Sequence, residues 1–67
     1  MLQIALKKGG RLVVENFKEV FIPSENISSQ KPEDIILNDG TTYAFKGDNI
    51  LSINGSEILY LEFTESN

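Results

Sequence analysis

With neither Cys nor His in the chain, the side chains able to do chemistry reduce to Ser, Thr, Lys, Tyr and the carboxylates. A thiolate nucleophile, an imidazole base, a disulfide framework and a thiolate zinc site are all closed. Paired carboxylates can cut glycosidic bonds, but only across a cleft that holds the two groups at a set separation. The acids here fall at expected turns and on outward strand positions. A chain of 67 residues also leaves little room for a pocket of the few hundred cubic ångströms that ligand sites occupy. These observations argue against an enzyme and imply no catalytic residue, no cofactor and no metal.

Three other patterns bear on binding. Asn38-Asp39-Gly40 and Gly47-Asp48-Asn49 resemble fragments of calcium loops, yet neither has the alternating oxygen ligands closed by a distal Glu. Asx-Gly is ordinary turn chemistry. Lys7, Lys8 and Arg11 flank Gly9-Gly10, forming a candidate basic tip that could touch phosphates as small RNA-binding barrels do. Such barrels also stack bases on exposed aromatics, whereas Phe17, Phe21, Tyr43, Phe45, Tyr60 and Phe63 are spread over the core strands. Cations at a turn also discourage edge pairing. Finally, Glu33, Asp34, Asp39, Asp48, Glu57, Glu62 and Glu65 are candidates for an acidic face that mimics nucleic acid and blocks a basic groove. They come from different strands and turns, so a shared face does not follow from the sequence.

Charge is uneven. Residues 1–18 balance at +3 and residues 19–67 at −7, giving the net −4. An acidic whole argues against general nucleic-acid binding, which draws on clustered Lys and Arg.

The elements that must position these residues read as hairpins. Asn54-Gly55 between two β-rich runs predicts a type I′ turn joining residues 49–53 to 56–63. That register places Leu51 opposite Ile58 and Ile53 opposite Ser56. One face then carries Leu51, Ile53, Ile58 and Tyr60, and the other Ile50, Leu59, Leu61 and Phe63. Two apolar faces imply either a hairpin covered on both sides or one face serving a partner. Leu51, Ile53, Ile58 and Tyr60 are the candidate partner surface. Asp39-Gly40 predicts a second type I′ hairpin, Ile36 opposite Tyr43, and Lys46-Gly47-Asp48 turns the chain onward, so residues 34–63 read as a four-stranded meander. Gly9-Gly10 predicts a first hairpin, Leu6 opposite Val13 and Leu2 opposite Phe17. Residues 12–22 fit either a strand bent near Asn16 or a turn or two of helix; the β-branched and aromatic content favours the strand. Residues 23–33, with both prolines, read as a long polar loop.

The chain is one domain over residues 1–64 with a frayed tail at 65–67. Its apolar segments are too short for a secretory signal or a membrane span, which implies a cytoplasmic protein without membrane contact. The expected architecture is all-β, a small antiparallel barrel or sandwich of five to six strands, SH3-like in scale. The expected function is a non-catalytic protein–protein interaction or assembly module with an unidentified protein partner. Homodimerisation is open, and the composition suits a small bacterial or phage accessory protein. The acidic mimic and the RNA-binding barrel are the alternatives.

Overall fold

A computed structural model describes residues 1–31 and 35–64. Alternation of Leu2 and Ile4 with Gln3 and Ala5 sets up the first strand, β1 (Leu2–Leu6), which pairs antiparallel with β2 (Arg11–Val14). The register departs from the sequence expectation by three residues: Leu2 faces Val14 and Ile4 faces Leu12. The cause is the loop. Gly9 N donates to Leu6 O (3.0 Å) and Leu6 N donates to Gly10 O (3.1 Å), so the connection is Lys7-Lys8-Gly9 rather than Gly9-Gly10. A turn followed by a residue in the left-handed region closes such a three-residue loop, and Gly9, at φ 103°, supplies it.

After Val14 the chain bends at Asn16 (φ 53°) and crosses into a second sheet as β3 (Glu19–Ile22). Residues 12–22 are therefore extended and bent, with no helical turn. The first half of the expected polar loop is a further hairpin. Pro23 to Asn26 turn the chain, with Asn26 at φ 53°, and β4 (Ile27–Ser29) returns along β3.

The Asp39-Gly40 hairpin does not form. Gly40 has no positive φ, and residues 35–38 make no ladder with the next strand, β5 (Thr42–Lys46). A side chain takes the ladder's place. The hydroxyl of buried Tyr43 donates to Ile36 O (3.0 Å) and accepts from Asn38 N (2.8 Å). Asp34 lies outside the described residues, as do Glu33 and the tail at 65–67. From β5 the chain turns through Gly47 and Asp48 into β6 (Ile50–Asn54), pairing as expected, with Phe45 opposite Leu51.

The Asn54-Gly55 hairpin is the largest correction. Asn54 is extended and caps a single 3-10 turn, Gly55–Glu57, its side chain accepting from Ser56 N (2.9 Å). Gly55 is present for closeness rather than for positive φ, since a Cβ there would collide with Asn38 O and the Tyr43 ring. The turn sends β7 (Ile58–Phe63) away from β6 to pair with β1. The expected four-stranded meander is thereby broken at both ends.

The described residues thus form seven strands in two antiparallel sheets, ordered β2-β1-β7 and β4-β3-β5-β6. The architecture is all-β as expected, but the sheets are not closed into a barrel. Leu2, Ile4, Val14 and Ile58 from one sheet meet Val20, Tyr43, Phe45 and Ile53 from the other in one core. Two turns lock the layers at one end. Asp48 N donates to Glu15 O (2.9 Å), Asn16 Nδ2 donates to Asp48 Oδ2 (2.9 Å), and Gly47 sits so close that a Cβ would lie 2.5 Å from Glu15 O. Among the described residues no helix is long and apolar enough to cross a membrane.

Candidate interaction surface

Side chains alternate along each strand, so the registers fix which residues share the outer face of the three-stranded sheet. Arg11 and Tyr60 both lie opposite Ala5, and Val13 and Glu62 both lie opposite Gln3. Arg11 reaches across this face. Its Nη1 donates to Gln3 Oε1 (2.7 Å) and sits 3.7 Å from Glu62 Oε1, while Nη2 donates to the Tyr60 hydroxyl (3.0 Å). Ala5, roofed by these side chains, is only 6% exposed although it points away from the core. The ion pair is half exposed on both sides, so it adds little stability. Its effect is geometric, holding Tyr60 and Glu62 along β7.

The outer edge of β7 is the longest free strand edge, because β1 pairs with β7 on one side only and no described strand pairs on the other. Antiparallel ladders alternate hydrogen-bonded and non-hydrogen-bonded pairs. Thr64 N donates to Met1 O (2.8 Å) and the Met1 amino group donates to Thr64 O (2.7 Å), which makes that pair hydrogen-bonded. Counting along the register, Glu62 and Tyr60 also bond to β1. The backbone N–H and C=O groups of Leu61 and Phe63 therefore point outward. Leu59 is the extra residue at the register shift opposite Ala5 and Leu6, where this alternation breaks. Beside this open backbone stand Leu59 (58% exposed), Tyr60 (42%) and Phe63 (44%), the last braced edge-to-face on Phe17 at 6.0 Å.

The structure distributes the sequence candidates differently. Of the expected partner surface, Ile53 (7% exposed) and Ile58 (2%) are core residues, Leu51 is half-buried facing the core, and only Tyr60 is exposed. The four do not share a surface because β6 and β7 belong to different sheets. Of the basic tip, Lys7 and Lys8 project from the loop, but Arg11 is turned back over the sheet. Of the acidic candidates, Asp39 and Asp48 lie at opposite ends of β5, Glu57 sits in the 3-10 turn, and Glu62 is paired with Arg11. Glu33, Asp34 and Glu65 lie outside the described residues. Leu59 and Phe63 were legible as the second apolar face of the expected hairpin; what hid their exposure was the assumption that β6 pairs with β7.

Among the described residues there is no cleft of ligand size and no cluster of three or more metal-ligating side chains. Comparison with family models, with curated proteins and with solved structures finds no match to this chain.

Proposed function

We propose that the domain is a non-catalytic interaction or assembly module that engages a protein through the open edge of β7. The observation that carries this reading is the coincidence, on one six-residue strand, of unpaired outward backbone groups with exposed Leu59, Tyr60 and Phe63. Strand addition uses that combination, with the backbone giving affinity and the alternate side chains giving selectivity. Proteins that do not use such an edge tend to blunt it with Lys, Pro or a covering element, and β7 has neither Lys nor Pro. The alternatives draw less support. A phosphate-binding tip would have only Lys7 and Lys8, since Arg11 is paired, and an acidic mimic would have Asp39 and Asp48 at opposite ends of β5 and Glu62 paired with Arg11.

The test is capture of a binding protein from nuclease-treated lysate by the immobilised domain, alongside a Leu59→Lys variant that places a charge on the edge. Retention by the original chain and its loss in the variant are expected. Retention that vanishes with nuclease, or that ignores the lysine, would overturn the reading.

A further inference from the structure

We infer that the partner strand is a second copy of β7, paired antiparallel about a two-fold axis through Leu61; this rests on the reading of β7 as the working edge. The argument is the self-complementarity of its residues. Pairing about Leu61 sets Leu59 opposite Phe63 of the partner subunit and Leu61 opposite the partner subunit's Leu61. Leu61 and Phe63 are positions whose backbone groups point outward, so the hydrogen-bonding phase is correct at the axis, and Leu59 sits at the bulge that ends the ladder. The same register sets Tyr60 opposite Glu62 of the partner subunit.

The side chains then segregate by face. Leu61 and Phe63 lie on the side of Ile4 and Leu2, so the Leu61 pair at the axis extends the core side. Tyr60 and Glu62 lie on the outer side with Arg11. Each copy keeps Glu62 against its own Arg11, which offsets the carboxylate nearest the seam even though each chain carries −4 overall. Isologous contact requires that a patch match itself, and the other free edges do not. Along β6 the outward residues Ile50 and Asn54 would be set against each other, apolar on polar. Along β2 the outward positions are Arg11 and Val13, a charge against a branched aliphatic. The edge of β4 is three residues long. A β7 pair would instead continue β2-β1-β7 into β7-β1-β2 of the second copy as one six-stranded sheet. Edge pairing buries little area compared with standard interfaces, so the dimer is weak and concentration-dependent.

The experiment is sedimentation velocity of the full chain from micromolar to about 1 mM, with amide hydrogen exchange read at both ends of that range. A dimer is expected to form as concentration rises, with protection gained at the amides of Leu61 and Phe63 and none gained along β6. Tyr60→Glu puts like charges opposite Glu62 at two places per dimer and should raise the dissociation constant about tenfold. It leaves the fold intact, because Tyr60 is exposed and the new carboxylate faces Arg11. Adding Glu62→Lys to that variant restores opposite charges across the seam and should bring dimerisation back to within about twofold. A monomer throughout the range, a dimer without protection at Leu61 and Phe63, or a double variant no better than Tyr60→Glu would overturn self-pairing. If a different protein protects those same amides, self-pairing fails while the module reading stands; if neither does, both fail.

Discussion

Replacing Tyr43 with Phe tests whether one phenol does the work of a missing strand. The ring is fully buried, in contact with Phe45 (centroids 6.3 Å apart), so the substitution keeps the packing and removes only the hydroxyl. That hydroxyl bridges Ile36 O and Asn38 N at 3.0 and 2.8 Å and pins the segment that has no ladder of its own. A net contribution of about 1 kcal/mol per hydrogen bond, reduced because both backbone groups can turn partly to water, gives a loss of about 1.5 kcal/mol. For a domain of this size, that lowers the melting temperature by roughly 6–12 °C. The assay is thermal unfolding by circular dichroism, with hydrogen exchange at the Asn38 amide, which should lose protection before the rest of the chain. Tyr60→Phe is the internal control. Its hydroxyl accepts from Arg11 on the exposed face, and its loss should change stability by less than about 0.5 kcal/mol. A Tyr43→Phe protein that melts within about 2 °C of the original, or no more than about 1 °C below the Tyr60→Phe control, would refute the reasoning.

Gly55→Ala should be among the most damaging single-methyl changes, costing about 3 kcal/mol in urea unfolding, because the added carbon meets Asn38 backbone and the Tyr43 ring. Gly47→Ala should cost about as much through Glu15 O and Val14, by prising apart the two locked turns; near-normal unfolding midpoints would mean those approaches relax freely. Asn16→Ala should lose about 1–2 kcal/mol, from the left-handed φ of 53° and the bond to Asp48, and Asn16→Gly less, as chemical denaturation would show. Arg11→Ala should leave stability within about 1 kcal/mol, since its ion pair is half exposed. A much larger loss on calorimetry would assign Arg11 a structural part beyond holding Tyr60 and Glu62.

Several features of the molecule follow from local residue pattern alone. The alternation of Leu2 and Ile4 with Gln3, the β-branched and aromatic runs, and the turn residues at Gly9, Asn16 and Gly47 specify an all-β chain and place every described strand but β4, because side-chain period and backbone conformation are properties of neighbours in sequence. What the local pattern could not determine was the purpose of each Asx-Gly. At Asn54-Gly55 the Asn caps a 3-10 turn, and the Gly makes room for Asn38 and Tyr43; at Asp39-Gly40 the partner of the preceding segment is a phenol. Both outcomes depend on what is packed against the turn. The pairing of β7 with β1, 52 to 61 residues apart in sequence, is likewise decided only when the two sheets close on Leu2, Ile4, Tyr43 and Phe45. That long-range choice divides the apolar residues of 49–63 between two layers. It buries Ile53 and Ile58 and leaves Leu59, Tyr60 and Phe63 beside an open edge. The two-sided apolar pattern was visible in the sequence; which residues it would expose was settled by non-local pairing, which sequence periodicity does not encode.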